Sequence, residues 1–316
     1  MLAILAITFP FFALVLCGYL AVRRHLLPQL AIPGLNSFVL YFALPCLLYR
    51  FGSSTPLAEL LDAGLFGVYL LCALLIVGLS MLLTLGRAGW NDGAFGALVA
   101  AFPNTGFMGV PLMLALLGAR SSGPVIVALV VDLVITSSLC IALSRLGPSG
   151  AQGSAAALRN ALKGMLRNPM PWSILLGALA SGVGLALPKP LMSTIGLLAD
   201  AASPVALFTI GAVLARSQMN ASGATALADF VPLALVKLLV HPLLMLAIGH
   251  GAIALGLPIE RSALTVLVLV ACLPSASNVA LLTERFGADT GRVARIILVS
   301  TALSFLSFSA AVSLLI

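Results

Sequence analysis

The sequence predicts an all-α polytopic membrane protein, with ten transmembrane helices in two inverted five-helix repeats and proline-broken, crossed helices four and nine. Three observations predict it. Of 316 residues, 61% are hydrophobic and only 8% charged, with mean hydropathy +1.19; soluble domains carry roughly a quarter charged residues. The apolar residues fall into runs of span length, about 20 residues for a hydrocarbon core of about 30 Å. Polar and proline interruptions recur at matching places in the two halves, the pattern of inverted-repeat carriers. Nothing alternates in polarity as lipid-facing β-strands do.

Taken in order, the first span covers 3–22 and is followed by Arg23, Arg24 and His25. It lacks the basic leading region of a secretory signal and precedes further spans, so it reads as a retained helix. Spans follow near 30–49, 65–86, 94–118 and 124–145, closing a first repeat over 1–146. A Gly/Ser/Ala-rich cytoplasmic linker over 147–170 carries Arg159, Lys163 and Arg167. The second repeat, 171–316, holds spans near 171–187, 190–214, 230–250, 262–286 and 291–315.

Orientation follows from the basic residues. With both termini outside, Arg23, Arg24, Arg87, Arg145, Arg159, Lys163, Arg167, Arg216, Arg285, Arg292 and Arg295 are cytoplasmic, and Arg50, Arg120, Lys189 and Arg261 are outside. Five spans per half is an odd number, so the second half enters the membrane upside down. The net charge of +7 is spread over these loops, which speaks for membrane orientation and against a nucleic-acid partner. Cys17, Cys46, Cys72, Cys140 and Cys272 stand singly in apolar runs without metal-ligand spacing and read as small core residues; neither a metal nor a cofactor is expected.

The interruptions match. Pro45 in the second span pairs with Pro204 in the seventh, and Pro103 in "AAFPNTGFMG" with Pro274 in "VACLPSASNV". Proline lacks an N–H, so Pro103, Pro111 and Pro274 should free the carbonyls of Val99, Phe107 and Val270. Such backbone survives in a membrane only where protein or a wet cavity receives it. Half-helices starting beyond the breaks present N–H groups and a positive dipole end, which attract anions. The side chains there, Asn104, Thr105 and Gly106 with Ser275, Ser277 and Asn278, are neutral and hydrogen-bonding. No Asp or Glu lies within either break, as a cation site would require. The expected ligand is an anion held by Asn104 and Asn278; the alternative is that these groups only satisfy the broken backbone.

Ionisable residues inside spans are costly and suggest function. Asp132, Asp200, Lys237 and His241 are the candidates for proton or ion coupling. Lys237 and His241, four apart, share a helix face. Lys237 can equally snorkel to the surface, Asp200 can be structural beside Pro204, and His241 can be a core histidine rather than a proton carrier.

Four segments carry a resemblance: "NSFVLYFALPCLLY" (Asn36–Tyr49), "FPNTGFMGVPL" (Phe102–Leu112), "KLLVHPLL" (Lys237–Leu244) and "LPSASNVALLTERFG" (Leu273–Gly287). Together they resemble the auxin efflux carrier family, which includes plant PIN-type auxin carriers and bacterial permeases for malonate and other organic acids. The resemblance implies a fold related to bile-acid symporters and sodium/proton antiporters. It implies spans 1, 2, 6 and 7 as scaffold and homodimer interface, and spans 3–5 and 8–10 as a moving domain. It gives Asn104 a role in binding the substrate carboxylate. Asn278 matches plant members less closely, and their long cytoplasmic loop is absent.

The resulting expectation is a non-enzymatic, secondary or facilitated carrier of small organic anions in the bacterial inner membrane, working by alternating access. The sequence carries no H-E-x-x-H, G-x-S-x-G or Walker-type motif. A cation/proton antiporter of the same architecture is the alternative, and a proton or sodium ion is the candidate coupling partner.

Overall fold

A computed structural model of the chain describes residues 2–54, 62–146, 169–219 and 226–316. The described residues form helices joined by turns, with no β-strand among them. In chain order these are α1 (Leu2–Arg23), α2 (Gln29–Ser54), α3 (Ala63–Ala101), α4 (Thr105–Leu143), α5 (Pro169–Gly182), α6 (Lys189–Met219), α7 (Leu227–Ala254), α8 (Arg261–Ala271), α9 (Asn278–Arg285) and α10 (Thr290–Leu315). Helices α2, α3, α4, α6, α7 and α10 are each long and apolar enough to cross a bilayer, which makes the chain a polytopic membrane protein. The expected linker over 147–170 lies outside the described residues, except that α5 has already begun at 169.

Two helices hold more chain than one crossing needs. At 39 residues, α3 would be about 58 Å long if straight, nearly twice a hydrocarbon core. It turns at Gly89, where φ is 73° and ψ is −179°, a conformation open to glycine and costly for any residue with a Cβ. The span expected to start at residue 94 thus begins inside α3, beyond this turn. In the same way Gly118, with φ 70°, breaks α4 between Val110–Leu117 and Ser122–Val130.

The chain divides into two compact units, and each draws on both halves of the sequence. The first comprises Met1–Asp62, Gly106–Ile126 and Asn168–Ala221. It gathers spans 1, 2, 6 and 7, as the resemblance implies, but also takes in 106–126. Its packing depends on backbones that nearly touch. A Cβ on Gly18 would lie 1.8 Å from the Phe208 carbonyl oxygen of α6, and one on Gly211 would lie 1.8 Å from that of Val15 on α1. Helices without an aqueous hydrophobic drive between them associate through such small-residue contacts. Gly52 and Gly177 do the same for α2 and α5. Arg50 on α2 and Asp200 on α6 form an ion pair at 2.8 Å, with side chains 34% and 69% exposed.

The second unit comprises Ala63–Thr105, Val127–Arg167 and Ser222–Ile316. Phe95, Leu98, Val131, Leu267 and Phe308 are buried in it. Arg292, counted among the cytoplasmic-side cations, is buried. Its Nε donates to the Asp229 carbonyl at 2.7 Å and its Nη1 to the Asp92 carbonyl at 3.2 Å. Gly96 leaves it room, since a Cβ there would sit 3.3 Å from Nη1. Nearby, Asn91 Nδ2 donates to the carbonyls of Phe286 and Gly287, capping the end of α9. All five cysteines are free; Cys72, Cys140 and Cys272 are buried, whereas Cys17 is exposed rather than in the core.

Candidate functional site

Within the second unit the two proline-broken stretches meet. The Asn104 amide donates to the Pro274 carbonyl at 2.8 Å, and the Ala276 amide donates to the Phe102 carbonyl at 3.0 Å. These bonds form an isolated antiparallel bridge between Pro103 and Ser275. The reason is backbone accounting. Each proline ends its helix, and the amides and carbonyls left over satisfy one another across the gap instead of facing hydrocarbon. The Val270 carbonyl, expected to be freed by Pro274, is taken by the Leu273 amide at 3.1 Å through a tightened last turn.

Around the bridge lie the expected side chains. Asn104, Thr105 and Ser275 are buried, and Ser277 and Asn278 are half-buried. Thr105 Oγ1 donates to the Pro103 carbonyl at 3.4 Å. Ser275 Oγ and Asn278 Oδ1 are buried without a hydrogen-bond partner. Orphaned buried polar atoms are rare in native proteins and need an explanation. Gly106 follows Thr105 directly in the chain and belongs to the first unit.

A second polar group of the same unit contains three of the four expected ionisable residues. Asp132, Lys237 and His241 are all fully buried. Asp132 lies in a π-helical turn, Val131–Thr136, and Lys237 in another, Val236–Val240; such turns recur at functional sites because they re-aim side chains. Tyr69 Oη donates to Asp132 Oδ2 at 2.8 Å, and Ser137 Oγ donates to the Asp132 carbonyl at 2.8 Å. Asp132 Oδ1, Thr136 Oγ1 and His241 Nε2 have no partner. Lys237 Nζ lies 3.0 Å from His241 Nδ1 and donates to the Ala271 carbonyl at 2.9 Å. As an ammonium it is donor only, so Nδ1 accepts and the ring proton sits on Nε2. Lys237 therefore does not snorkel, and His241 is a partnered residue of the interior.

Asp200 is elsewhere, paired with Arg50 on the first unit. Sequence reasoning missed Tyr69, Thr136 and the Ala271 carbonyl. Tyr69 left a signal, because a phenol amid "GVYLLCALL" needs a partner once buried. The Ala271 carbonyl left none.

A many-helix membrane protein whose two helix breaks pair around unsatisfied polar groups is of the transporter class. The comparisons with known proteins give the family. A model described as "Membrane transport protein" matches residues 3–312, and the chain belongs to that family, the one to which the auxin efflux carrier motifs point. It is 30% identical over 309 residues to a Rhizobium meliloti (strain 1021) protein named "Putative malonate transporter", covering 96% of this chain and 93% of that one. It is 28% identical to the uncharacterized transporter YfdV of Escherichia coli (strain K12), over 89% of this chain and 88% of YfdV. An uncharacterized transporter of Methanothermobacter thermautotrophicus is also 28% identical, with 93% and 92% covered.

Proposed function

We propose that this protein is a secondary or facilitated carrier of small organic anions, with mono- or dicarboxylates such as malonate as substrates. The single observation that carries this reading is the antiparallel pairing at Pro103 and Ser275, with Ser275 Oγ and Asn278 Oδ1 left unpartnered beside it. A carboxylate accepts hydrogen bonds from the Ser275 hydroxyl, from the Asn104 amide group and, after a half-turn of its own amide, from Asn278. The described break residues include no carboxylate, which favours an anion over a sodium ion or proton as cargo. The malonate relative points the same way.

The turns at Gly89 and Gly118 divide α3 and α4 into three crossings, and α8 with α9 make one more. The chain then has ten spans in two inverted repeats, with both termini outside and Asn104, Thr105, Gly106, Ser275, Ser277 and Asn278 at the crossing of spans 4 and 9. Asp132, whose Oδ1 is unpartnered, is the candidate carrier of a coupling proton, with Lys237 and His241 as its neighbours. Asp200 is assigned away from coupling. Its pairing with Arg50 at the surface of two apolar helices would be costly against lipid, so we assign that face to a second copy of the chain.

The test is a thermal-shift panel of mono- and dicarboxylates on the purified protein, since a ligand that binds only the folded state raises its apparent stability. The reading expects a concentration-dependent rise with at least one short carboxylate, lost in Asn104→Ala. Equal shifts in Asn104→Ala and wild type would remove Asn104 from the site.

A further inference from the structure

The break after α8 is closed by a side chain from another helix. The last turn of α8 leaves the Ala271 carbonyl pointing out of the helix, and Lys237 Nζ donates to it at 2.9 Å. Both residues are fully buried. Three residues further on, the Pro274 carbonyl accepts from the Asn104 amide, and the Ala276 amide returns a bond to Phe102. A cation at a helix C-terminus meets the negative end of the helix dipole. Here it meets the stub from which the crossover segment 272–276 departs.

The ammonium is held on its other side by His241 Nδ1 at 3.0 Å, and His241 is itself tied to α3 through its carbonyl, which accepts from Cys72 Sγ at 3.8 Å. The other ionisable groups facing this cation are Asp132 on α4, with Tyr69 behind it on α3, and Cys72 and Cys272. The Lys237 side chain has no exposed surface.

We infer that Lys237 is a positioning residue for the anion site: its ammonium caps α8 at Ala271, sets the departure of the segment 272–276, and thereby holds the Asn104–Pro274 and Ala276–Phe102 bonds in the register that the substrate meets. This rests on the carrier reading for the identity of the ligand, but the capping itself does not. It assigns Lys237 a fixed charge rather than a travelling proton. The two roles differ in what arginine can replace, because a guanidinium donates and stays charged but cannot give up its proton.

Three variants separate the contributions: Lys237→Arg keeps charge and donor, Lys237→Gln keeps a donor alone, and Lys237→Met keeps neither. The first measurement is backbone hydrogen exchange without ligand, comparing peptides over 102–106 and 272–278 with peptides of α10. Exchange in both crossover segments should quicken about tenfold or more in Lys237→Met and less in Lys237→Gln. It should stay near wild type in Lys237→Arg, with α10 unchanged throughout. If Lys237→Met does not fold, Lys237→Gln against Lys237→Arg decides in the same way.

The second measurement is proteoliposome uptake of whichever carboxylate stabilises the wild type, followed across a pH series. A lost cap of this kind corresponds to about ten- to thirtyfold in apparent affinity. The expected result is a KM raised by that factor in Lys237→Gln, a KM restored in Lys237→Arg, and a pH profile of the same shape in both. Unchanged exchange at 102–106 and 272–278 in Lys237→Gln and Lys237→Met would overturn the capping. A Lys237→Arg protein that keeps its crossover protection and binds the carboxylate but no longer transports would overturn the fixed-charge role and make Lys237 a proton carrier. If no carboxylate shifts the wild type, the carrier reading fails and the anion half of this inference with it, whereas the exchange result still decides the capping.

Discussion

Removing one hydroxyl from the buried cluster should cost more than its size suggests. In Tyr69→Phe the ring stays in place, but Asp132 Oδ2 loses a donor at 2.8 Å, and Oδ1 of the same carboxyl is already without one. Both residues have no exposed surface, so water cannot take the vacant position. A buried hydrogen bond contributes about 0.5–1.5 kcal/mol, and leaving its acceptor orphaned costs about 1–3 kcal/mol. We therefore expect Tyr69→Phe to destabilise the protein by about 2 kcal/mol. For a chain of 316 residues that lowers the thermal midpoint by about 3 °C. The assay is thermal unfolding at one scan rate of the wild type, Tyr69→Phe, Asp132→Asn and the double variant. Because the two side chains touch, the losses should be non-additive, with a coupling of about 1 kcal/mol or more. Additivity within about 0.5 kcal/mol would mean that the phenol and carboxyl are not bonded and would refute the reasoning.

Gly211→Ala should lower the thermal midpoint, because its Cβ would stand 1.8 Å from the Val15 carbonyl oxygen and overpacking costs about 1–3 kcal/mol; Gly251→Ala, with nothing within 4 Å of the added carbon, should leave the midpoint unchanged or raise it. Arg292→Met removes the donors to the Asp229 and Asp92 carbonyls, so amide exchange over 286–292 should quicken while α1 and α6 are unaffected, and mass spectrometry of the exchanged peptides checks this. Exchanging the partners of the pair, Arg50→Asp with Asp200→Arg, should leave stability within about 1 kcal/mol of wild type, since the swap keeps opposite charges together, while Asp200→Arg alone should shift the proposed dimer toward monomer in native mass spectrometry.

Much of this was legible because prolines and glycines act locally. Pro103 and Pro274 stand just past the ends of α3 and α8, where the structure breaks, whereas Pro204, expected as a matching interruption, lies inside α6 and leaves that helix continuous. The fourth span, expected near 94–118, ends in a helix capped by Gly118. What stayed hidden depends on contacts between distant segments. Hydropathy registers apolar residues alike whether they face lipid or protein, so the sequence could not show that 106–126 joins the unit formed by spans 1, 2, 6 and 7. Nor could it decide whether Lys237 reached the surface or the interior, because a lysine two turns from a helix end is compatible with both. The answer lay in the Ala271 carbonyl, more than thirty residues from Lys237; the helical donor of that carbonyl, the Ser275 amide, donates to Ser300 Oγ instead. The burial of Arg292 stayed hidden for the same reason, since nothing local in the sequence pairs it with the space left at Gly96.

The most direct test of the central claim is flux in proteoliposomes, with labelled malonate and labelled sodium measured side by side for the wild type and Asn104→Ala. The account predicts carboxylate uptake by the wild type that falls at least tenfold in the variant with the folded protein retained, and no sodium flux unless carboxylate is present. Sodium exchange without carboxylate movement, or malonate uptake indifferent to Asn104, would contradict it.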